Sequence, residues 1–442
     1  MARNRRKRLP AEPVAAHVES LAHDGRGVAH IEGKTVFIAG ALPGEEVTFR
    51  YTSRRRSHDE GRVDEVLEAS PQRVVPGCAH AALCGGCSLQ HLAADAQIEA
   101  KQQVLLEGFR RLGKVEPERV LPPLTGPAWG YRRKARLGVK YVIKKRKLLI
   151  GFREKGSGLL AELERCEVLH PSVGHHLRTL AQTIAAMEAY DRIAQVEVAV
   201  AEEGTALVFR NLDPLSVRDT ERLRALAREH GFLVYLQPGG PESITPLWPE
   251  RIELSYTLPA HGLRMRFEPT DFTQVNLDIN RAMIDRALEL LDPQPGERVL
   301  DLFCGLGNFT LPLARSAGEV VGVEGDAALV QRARENAERN GVENVQFHTA
   351  DLAGELDKAP WWGGGFDRAL LDPPRTGARE TLAHLAALGI GRIVYVSCNP
   401  ATLARDAGIL VNDHGYRLVS AGVMDMFPHT AHVESIALFE KV

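Results

Sequence analysis

The chain has 442 residues, of which 44% are hydrophobic and 25% are charged. This length suggests about two to four domains, and the composition is that of an ordinary globular protein. No apolar run approaches the roughly 20 residues that a membrane-spanning helix needs, and the basic N-terminus lacks the apolar segment of a secretory signal. The sequence therefore predicts a cytoplasmic protein that does not associate with membranes.

The net charge of −2 conceals local clusters of basic residues. Such clusters on a near-neutral chain can form a phosphate-binding surface, although each one alone is equally typical of a solvated face or a tail. Taken together they favour a nucleic-acid partner. The clusters lie at Arg3–Arg8, Arg54–Arg56 and Arg132–Lys147.

Three of the six cysteines, Cys78, Cys84 and Cys87, lie within ten residues. Cysteines of a chain without a secretion signal are expected to stay reduced, so this group indicates a metal site rather than a disulfide framework. Cys166 supplies a fourth thiol. Four thiolates can hold either zinc or an iron–sulfur cluster, and the spacing alone favours zinc only slightly.

The first region, residues 12–68, contains short β-type runs separated by turn signals, which predict a small β-barrel of the OB-like kind. Its turns, at Asp24–Ala29, Gly33–Lys34 and Ala41–Glu45, resemble those of a TRAM domain, an RNA-binding barrel attached to RNA-modifying enzymes. That resemblance implies a role in RNA binding. The predicted strands are His17–Leu21, Gly27–Ile31, Thr35–Ile38 and Glu46–Tyr51.

The second region, residues 69–260, mixes helix and strand signals and is predicted to be a central α+β domain. It begins with the cysteine cluster and continues through a helical stretch at Ala94–Leu112. A strongly basic, strand-like segment follows at Tyr131–Phe152. We expect this segment to face RNA.

The third region, residues 261–442, alternates apolar strands with helices, a pattern that predicts a parallel, doubly wound sheet. One helix is predicted at Ala327–Asn340. Ligands of such sheets bind beyond the carboxyl ends of the strands. The predicted strands are Val299–Phe303, Val320–Val323, Val345–Phe347, Arg368–Leu371 and Ile393–Ser397.

Polar or glycine-rich residues follow the first four of these strands. The glycines of Asp301–Asn308 allow close backbone approach to a ligand, but the loop lacks the fingerprint of a dinucleotide site. Glu324 ends the second strand and is suited to chelating two ribose hydroxyls. Asp351 follows the third strand, where it can accept from an adenine amino group, and Asp372 ends the fourth. The arrangement resembles the Rossmann-like S-adenosylmethionine-dependent methyltransferases.

Cys398 lies just past the fifth strand, at the same edge of the predicted sheet. A thiolate there can add to C6 of a uracil, which turns C5 into a nucleophile able to attack a sulfonium methyl. A strand-end loop that leads into a helix also favours a lowered thiol pKa. Cys304, in the glycine loop, is expected to pack beneath the cofactor.

Several motifs of the third region together resemble the RNA 5-methyluridine methyltransferase family. The resemblance implies that Cys398 is the nucleophile and that Glu434 is the base that removes the C5 proton. The motifs are Phe272–Asn276, Asp301–Ala314, Asp372–Gly377, Ser397–Asp406 and His432–Ser435. The resemblance further implies an S-adenosylmethionine site lined by Gln274, Phe303, Asn308, Glu324, Asp351 and Asp372.

Two related chemistries fit the sequence less well. RNA 5-methylcytosine enzymes resemble a pattern with a cysteine in the motif after the fourth strand, and Asp372–Arg375 has none. Adenine amino-methyltransferases would have an aromatic residue after the two prolines, where this chain has Arg375.

The contexts of Cys78, Cys84 and Cys87 resemble the ribosomal branch of the family. This branch implies a structural [4Fe-4S] cluster held with Cys166 and a substrate in large-subunit (23S) ribosomal RNA. Three alternatives remain: the same chemistry on another uridine of 23S ribosomal RNA, the same chemistry on tRNA, and an RNA-binding assembly factor with an inert methyltransferase fold. We expect a monomer.

Overall fold

The computed structural model describes residues 9–442 except Ile252, Glu355 and Pro360, so the basic cluster at 3–8 lies outside the described residues. Within them, no helix has both the length and the apolar character needed to cross a bilayer. The strands are β1 (Val14–His17), β2 (Ser20–Leu21), β3 (Gly27–Ile31), β4 (Lys34–Ala39), β5 (Glu46–Arg54), β6 (Asp59–Glu68), β7 (Arg119–Val120), β8 (Lys134–Val142), β9 (Lys147–Gly151), β10 (Ile193–Val200), β11 (Thr205–Asn211), β12 (Phe232–Leu236), β13 (Thr245–Trp248), β14 (Leu254–Leu258), β15 (Leu263–Phe267), β16 (Arg298–Leu302), β17 (Glu319–Glu324), β18 (Val345–Thr349), β19 (Arg368–Leu371), β20 (Arg392–Ser397), β21 (Tyr416–Met424) and β22 (Glu434–Lys441). The α-helices are α1 (Ala94–Gly108), α2 (Pro171–Gly174), α3 (Leu177–Ala185), α4 (Val217–His230), α5 (Leu277–Leu291), α6 (Thr310–Leu313), α7 (Ala327–Arg339), α8 (Arg379–Ala387) and α9 (Pro400–Asn412).

The N-terminal sheet has six strands in the order β1-β5-β6-β4-β3-β2. Buried and less buried residues alternate along β3, β4 and the first half of β5, as expected for strands with one face on a core. The sheet curls around a single apolar core that includes Val36, Ile38 and Phe49. The predicted strands at Gly27–Ile31, Thr35–Ile38 and Glu46–Tyr51 are present, whereas the predicted strand His17–Leu21 is divided between the end of β1 and β2. Strand β6, which the sequence analysis did not identify, completes the sheet.

The central sheet also has six strands, ordered β13-β12-β11-β10-β8-β9. The basic segment predicted as a strand forms the hairpin of β8 and β9, whose buried residues include Leu137 and Ile150. Helices α3 and α4 pack against this sheet through Leu180, Leu223 and Leu226. The cationic side chains of the hairpin alternate with these buried residues, so most of them face away from the core.

The C-terminal sheet has eight strands in the order β18-β17-β16-β19-β20-β22-β21-β7. Strands β16 to β20 are parallel to one another, and most residues of β16, β17, β19 and β20 are buried because helices cover both faces of such sheets. The prediction of a wholly parallel sheet is wrong at one strand. β22 pairs antiparallel with both β20 and β21, because it follows β21 as the second arm of a hairpin-like return.

The segment around α1 belongs to the C-terminal core rather than to the central sheet. Ile98, Leu105 and Phe109 pack with the strands of the C-terminal sheet, and β7 adds to the outer edge of that sheet beside β21. The division of the chain at residues 68 and 260 stays a prediction. In the structure, α1 and β7 of the second region pack against the sheet of the third region.

Candidate active site

The loop after β16 leaves the sheet through a sharp turn. Phe303 has a positive φ of 64°, which is unusual for a residue with a side chain, and Gly305 and Gly307 follow with φ of 55° and 93°. A Cβ added at Gly305 would meet open space within 4 Å. The glycine loop therefore presents bare backbone to the region beyond the strand ends.

Asp301, the fourth residue of β16, lies directly beneath this loop and is fully buried. One of its carboxylate oxygens accepts from Thr310 Oγ1 at 2.5 Å, while the other is buried without a hydrogen-bond partner among the described residues. Burial raises the pKa of Asp301 to about 8, with further contributions from the charges of Asp372 and Glu324. The three carboxylates therefore lie close enough to influence one another.

Glu324 ends β17, and its carboxylate connects the glycine loop to the turn that follows β17. One carboxylate oxygen accepts from the Gly305 amide at 3.1 Å, and the other accepts from the amides of Gly325 at 2.7 Å and Asp326 at 3.1 Å. This places the carboxylate beside the glycine loop, as predicted from the order of the strands.

The remaining predicted cofactor residues differ in their surroundings. The side chain of Asn308 is hydrogen-bonded to those of Asn280 and Tyr256, at 2.8 to 3.1 Å. Asp351 is exposed, and its Oδ1 accepts from the Ala353 amide at 3.0 Å. Gln274 is partly exposed, in the loop before α5.

Cys398 and Glu434 stand at the same edge of the sheet because of the β20–β22 pairing. Ser397, the last residue of β20, is paired with Ser435 of β22. Cys398 therefore lies one residue beyond the end of β20, level with Glu434, which begins β22. Cys398 is half-buried, and Glu434 is only 7% exposed.

The electrostatics of this edge favour protonated groups. Burial raises the pKa of Glu434 to about 8, and the charge of Asp372 adds to the effect; burial also raises the pKa of Asp372 to about 7. The pKa of Cys398 is raised as well, first by burial and then by Glu434 and Asp372. The expectation of a lowered thiol pKa is therefore wrong, because burial and two nearby carboxylates raise it.

Two cations near this edge were not assigned roles from the sequence. The Arg375 carbonyl accepts from Asn399 Nδ2 at 2.9 Å, and the guanidinium opposes the rise in the pKa values of Cys398 and Glu434. Lys101, only 2% exposed, acts in the same direction on Glu434 from α1. Nothing in the sequence signals Lys101, because it lies more than three hundred positions away.

Cys304 is buried, as expected, and its sulfur lies near the backbone of Gly322, where a Cβ would come within 3.1 Å of it. Burial raises the pKa of this thiol well above its ordinary value. Cys304 is therefore part of the packing beneath the glycine loop.

The other four cysteines line one cavity, together with Gln90, Arg132 and Phe152 among others. Burial raises the pKa of the Cys87 thiol to about 12, and the charges of the other three cysteines add to the rise. Among the described residues, no set of three or more His, Cys, Asp or Glu side chains surrounds a point where a single metal ion would be held. The four thiols are thus neighbours at one cavity. The cavity is lined by Cys78, Cys84, Cys87 and Cys166.

The sheet order and the glycine loop define a methyltransferase fold, and a family model agrees. A model described as a methyltransferase domain matches residues 293–406, and one described as a TRAM domain matches residues 11–52. The solved structure of Pyrococcus abyssi tRNA (uracil-54, C5)-methyltransferase in complex with S-adenosyl-L-homocysteine is similar over 96% of this chain and 99% of that chain. Its TM-score is 0.74 and its sequence identity is 25%.

Full-length relatives are more specific. The 23S rRNA (uracil(1939)-C(5))-methyltransferase RlmD of Alkalilimnicola ehrlichii is 59% identical over 99% of this chain and 98% of its own length. The RlmD of Methylococcus capsulatus is 56% identical over 99% of both chains. The chain belongs to the RlmD family of 23S rRNA (uracil-C5)-methyltransferases.

Proposed function

We propose that this protein transfers a methyl group from S-adenosylmethionine to C5 of uridine 1939 in 23S ribosomal RNA, with Cys398 as nucleophile and Glu434 as base. The observation that carries the proposal is the β20–β22 register, which sets a thiol and a carboxylate side by side at the ligand-binding edge of a methyltransferase sheet. The full-length similarity to RlmD enzymes supports the choice of RNA and of nucleotide.

Two observations fit the binding of S-adenosylmethionine at the glycine loop. Gly305 faces open space where a side chain would block a ligand, and Asp301 keeps one buried oxygen without a partner beneath the loop. We assign the contacts to residues at the strand ends, where ligands of such sheets bind. They are Gln274, Phe303, Asn308, Glu324, Asp351 and Asp372.

The chain's own residues divide the reaction into two steps. The Cys398 thiolate forms a bond to C6 of the uracil, and the electrons of the C5–C6 double bond move into an enolate; C5 then takes the methyl group as the S–methyl bond of the sulfonium breaks, leaving S-adenosylhomocysteine. Glu434 removes the C5 proton, the electrons of that bond restore the C5–C6 double bond, and the bond from C6 to sulfur breaks. The target base must leave its stack to reach Cys398. We infer that the TRAM barrel and the β8–β9 hairpin help to hold the surrounding RNA.

Incubating the protein with methyl-labelled S-adenosylmethionine and unmodified 23S ribosomal RNA tests this function. We expect label at C5 of uridine 1939. Unmodified tRNA forms the second arm, and preferential labelling of tRNA would favour the tRNA-directed alternative. Absence of transfer to either RNA would favour an assembly factor without activity.

The raised pKa values predict how cofactor affinity depends on pH. Asp372 and Glu434 are largely protonated at pH 6 and ionised at pH 9, because their pKa values are about 7 and 8. The sulfonium cation favours the ionised forms. We therefore expect the affinity for S-adenosylmethionine, measured by calorimetry, to rise between pH 6 and 9. S-adenosylhomocysteine is the matched control, since it lacks the sulfonium charge, and equal pH slopes for the two ligands would contradict this assignment.

We further propose that the four-cysteine cavity holds a [4Fe-4S] cluster. A zinc ion with bonds of about 2.3 Å would draw four sulfurs to within about 4 Å of one another around one point. A four-iron cluster offers a separate iron to each cysteine and so accepts wider spacing. The four thiols that line this one cavity provide one cysteine for each of the four irons, and the sequence contexts of Cys78, Cys84 and Cys87 resemble those of the branch that implies a cluster. When bound, the cluster supplies a structural cross-link between the 78–87 loop and Cys166.

Anaerobic purification should give a brown protein with broad visible absorbance and about four irons per chain. We expect Cys87→Ser to lose most of this iron, because Cys87 lines the cavity beside Cys84 and Cys166. Cys304→Ser is the control and should keep its iron, since Cys304 lies away from this cavity, in the core of the C-terminal sheet. Stoichiometric zinc without iron in the anaerobic wild-type protein would overturn the cluster assignment.

A further inference from the structure

The side-chain amide of Gln97, on α1, is only 2% exposed and joins two distant parts of the chain. Its Nε2 donates to the carbonyls of Leu89 at 3.1 Å and Leu92 at 2.8 Å, in the segment that follows the 78–87 loop. Its Oε1 accepts from the backbone amide of His429 at 2.8 Å. A single amide therefore connects the segment after Cys87 to the segment that leads into Glu434.

His429 adopts a conformation that its surroundings must enforce. Its φ is 65°, in the left-handed region that residues with a side chain seldom adopt. Its carbonyl accepts from the amides of Ser88 at 3.0 Å and Leu89 at 2.9 Å, and its ring lies 4.0 Å from that of Trp129. Strained backbone of this kind persists only where neighbouring contacts over-determine it.

Other side chains of α1 and of the segment after Cys87 hold the rest of the segment 425–431. Lys101, one turn after Gln97 on α1, binds Asp425 Oδ1 at 2.6 Å and the Phe427 carbonyl at 2.9 Å. Ser88 Oγ accepts from the Ala431 amide at 3.0 Å. The segment before β22 is therefore held by α1 at its start and by Ser88, the residue after Cys87, at its end.

We propose that Gln97 is a positioning residue for Glu434, and that through Ser88 and Leu89 the four-cysteine cavity sets the geometry of the proton-abstraction step. The inference rests on the proposed function, in which Glu434 is the base. Gln97 acts by fixing the backbone of His429, five residues before Glu434, and does not touch the reacting atoms. A displacement of the carboxylate by a fraction of an ångström slows proton transfer more than it affects the earlier addition and methyl transfer, which depend on Cys398 and the glycine loop.

Gln97→Met tests this, because methionine matches the length of glutamine and removes the hydrogen bonds to Leu89, Leu92 and His429. The substrate is 23S RNA carrying tritium at C5 of uridine, used in a single turnover with methyl-labelled S-adenosylmethionine. We expect tritium release to slow by about tenfold or more while methyl transfer stays within about twofold of wild type, so that a denaturation-resistant protein–RNA adduct accumulates. Gln102→Met is the matched control: it makes the same change on the same helix, where Gln102 Oε1 has no partner among the described residues, and both rates should be unchanged.

Ser88→Ala provides a second variant that preserves the core. It removes only the hydrogen bond to the Ala431 amide and should produce a smaller effect in the same direction. Equal slowing of methyl transfer and tritium release, or no slowing of either, in a folded Gln97→Met protein would overturn the positioning role. Failure of the wild-type protein to transfer methyl at all would instead refute the proposed function, so the two failures are distinguishable.

Discussion

Cys398→Ala will abolish methyl transfer to 23S RNA, with an expected loss of about 10⁴-fold or more in turnover. Without the sulfur no bond forms to C6, and C5 of uracil is too weak a nucleophile to attack the sulfonium methyl unaided. The measurement is transfer of labelled methyl groups under single-turnover conditions. A protein–RNA adduct should also be absent from denaturing gels.

Binding of S-adenosylmethionine by this variant should survive, because Cys398 stands one residue beyond β20, apart from the glycine loop of β16. Cys304→Ala is the matched control, with the same substitution at a buried sulfur that packs against Gly322. We expect it to retain methyl transfer and to lose about 1 to 2 kcal/mol of unfolding free energy through lost packing. Measurable turnover by Cys398→Ala would rule out the covalent mechanism.

Glu434→Gln should allow methyl transfer and prevent release, so that a covalent protein–RNA adduct accumulates. The amide cannot take the C5 proton, and turnover should fall by about 10³-fold. Glu440→Gln, on the same strand but in surface ion pairs with Arg392 and Arg417, is the control and should turn over normally. If Glu434→Gln released methylated RNA at the wild-type rate, another group would have to be the base.

The same substitution has a consequence for stability. Burial raises the pKa of Glu434 to about 8, above the value of about 4.5 in the unfolded chain, so the folded state holds this proton more tightly. The resulting stabilisation is complete below pH 4.5 and is lost as the pH rises through 8. Glu434→Gln removes the titrating group. Its unfolding free energy should therefore fall less than that of wild type between pH 5 and 9, which denaturant titrations can compare.

Much of the catalytic sheet follows from local patterns in the sequence. The apolar runs of β16, β17, β19 and β20 are each followed by a polar or glycine-rich segment, and parallel strands bring their carboxyl ends to one edge. The proximity of Glu324 and Asp372 to Asp301 could be predicted on that basis. Strands β3, β4 and β5 of the N-terminal sheet were also recognisable, because turn residues separate them, whereas β6 was missed.

The position of Glu434 follows from no local pattern. It depends on β22 entering the sheet antiparallel to β20, and a pairing between strands far apart in the sequence leaves no periodic signal. The family resemblance singled out this glutamate; the structure explains its place beside Cys398. Lys101 and Gln97 were missed for a related reason, since they act on a segment that folding brings to α1 from the end of the chain.

The thiol pKa illustrates a further limit. The loop between Ser397 and α9 is of the kind that lowers a thiol pKa, but the sequence does not reveal that Glu434 and Asp372 lie beside the sulfur. The positive charge of the sulfonium in bound S-adenosylmethionine opposes the effect of the two carboxylates and favours the thiolate.

The most direct test of the central claim is to map 5-methyluridine in 23S ribosomal RNA from cells that lack this protein. The account predicts that the modification at uridine 1939 disappears, returns with the wild-type gene, and does not return with Cys398→Ala. Full methylation of uridine 1939 in the deletion strain, or its restoration by Cys398→Ala, would contradict the account.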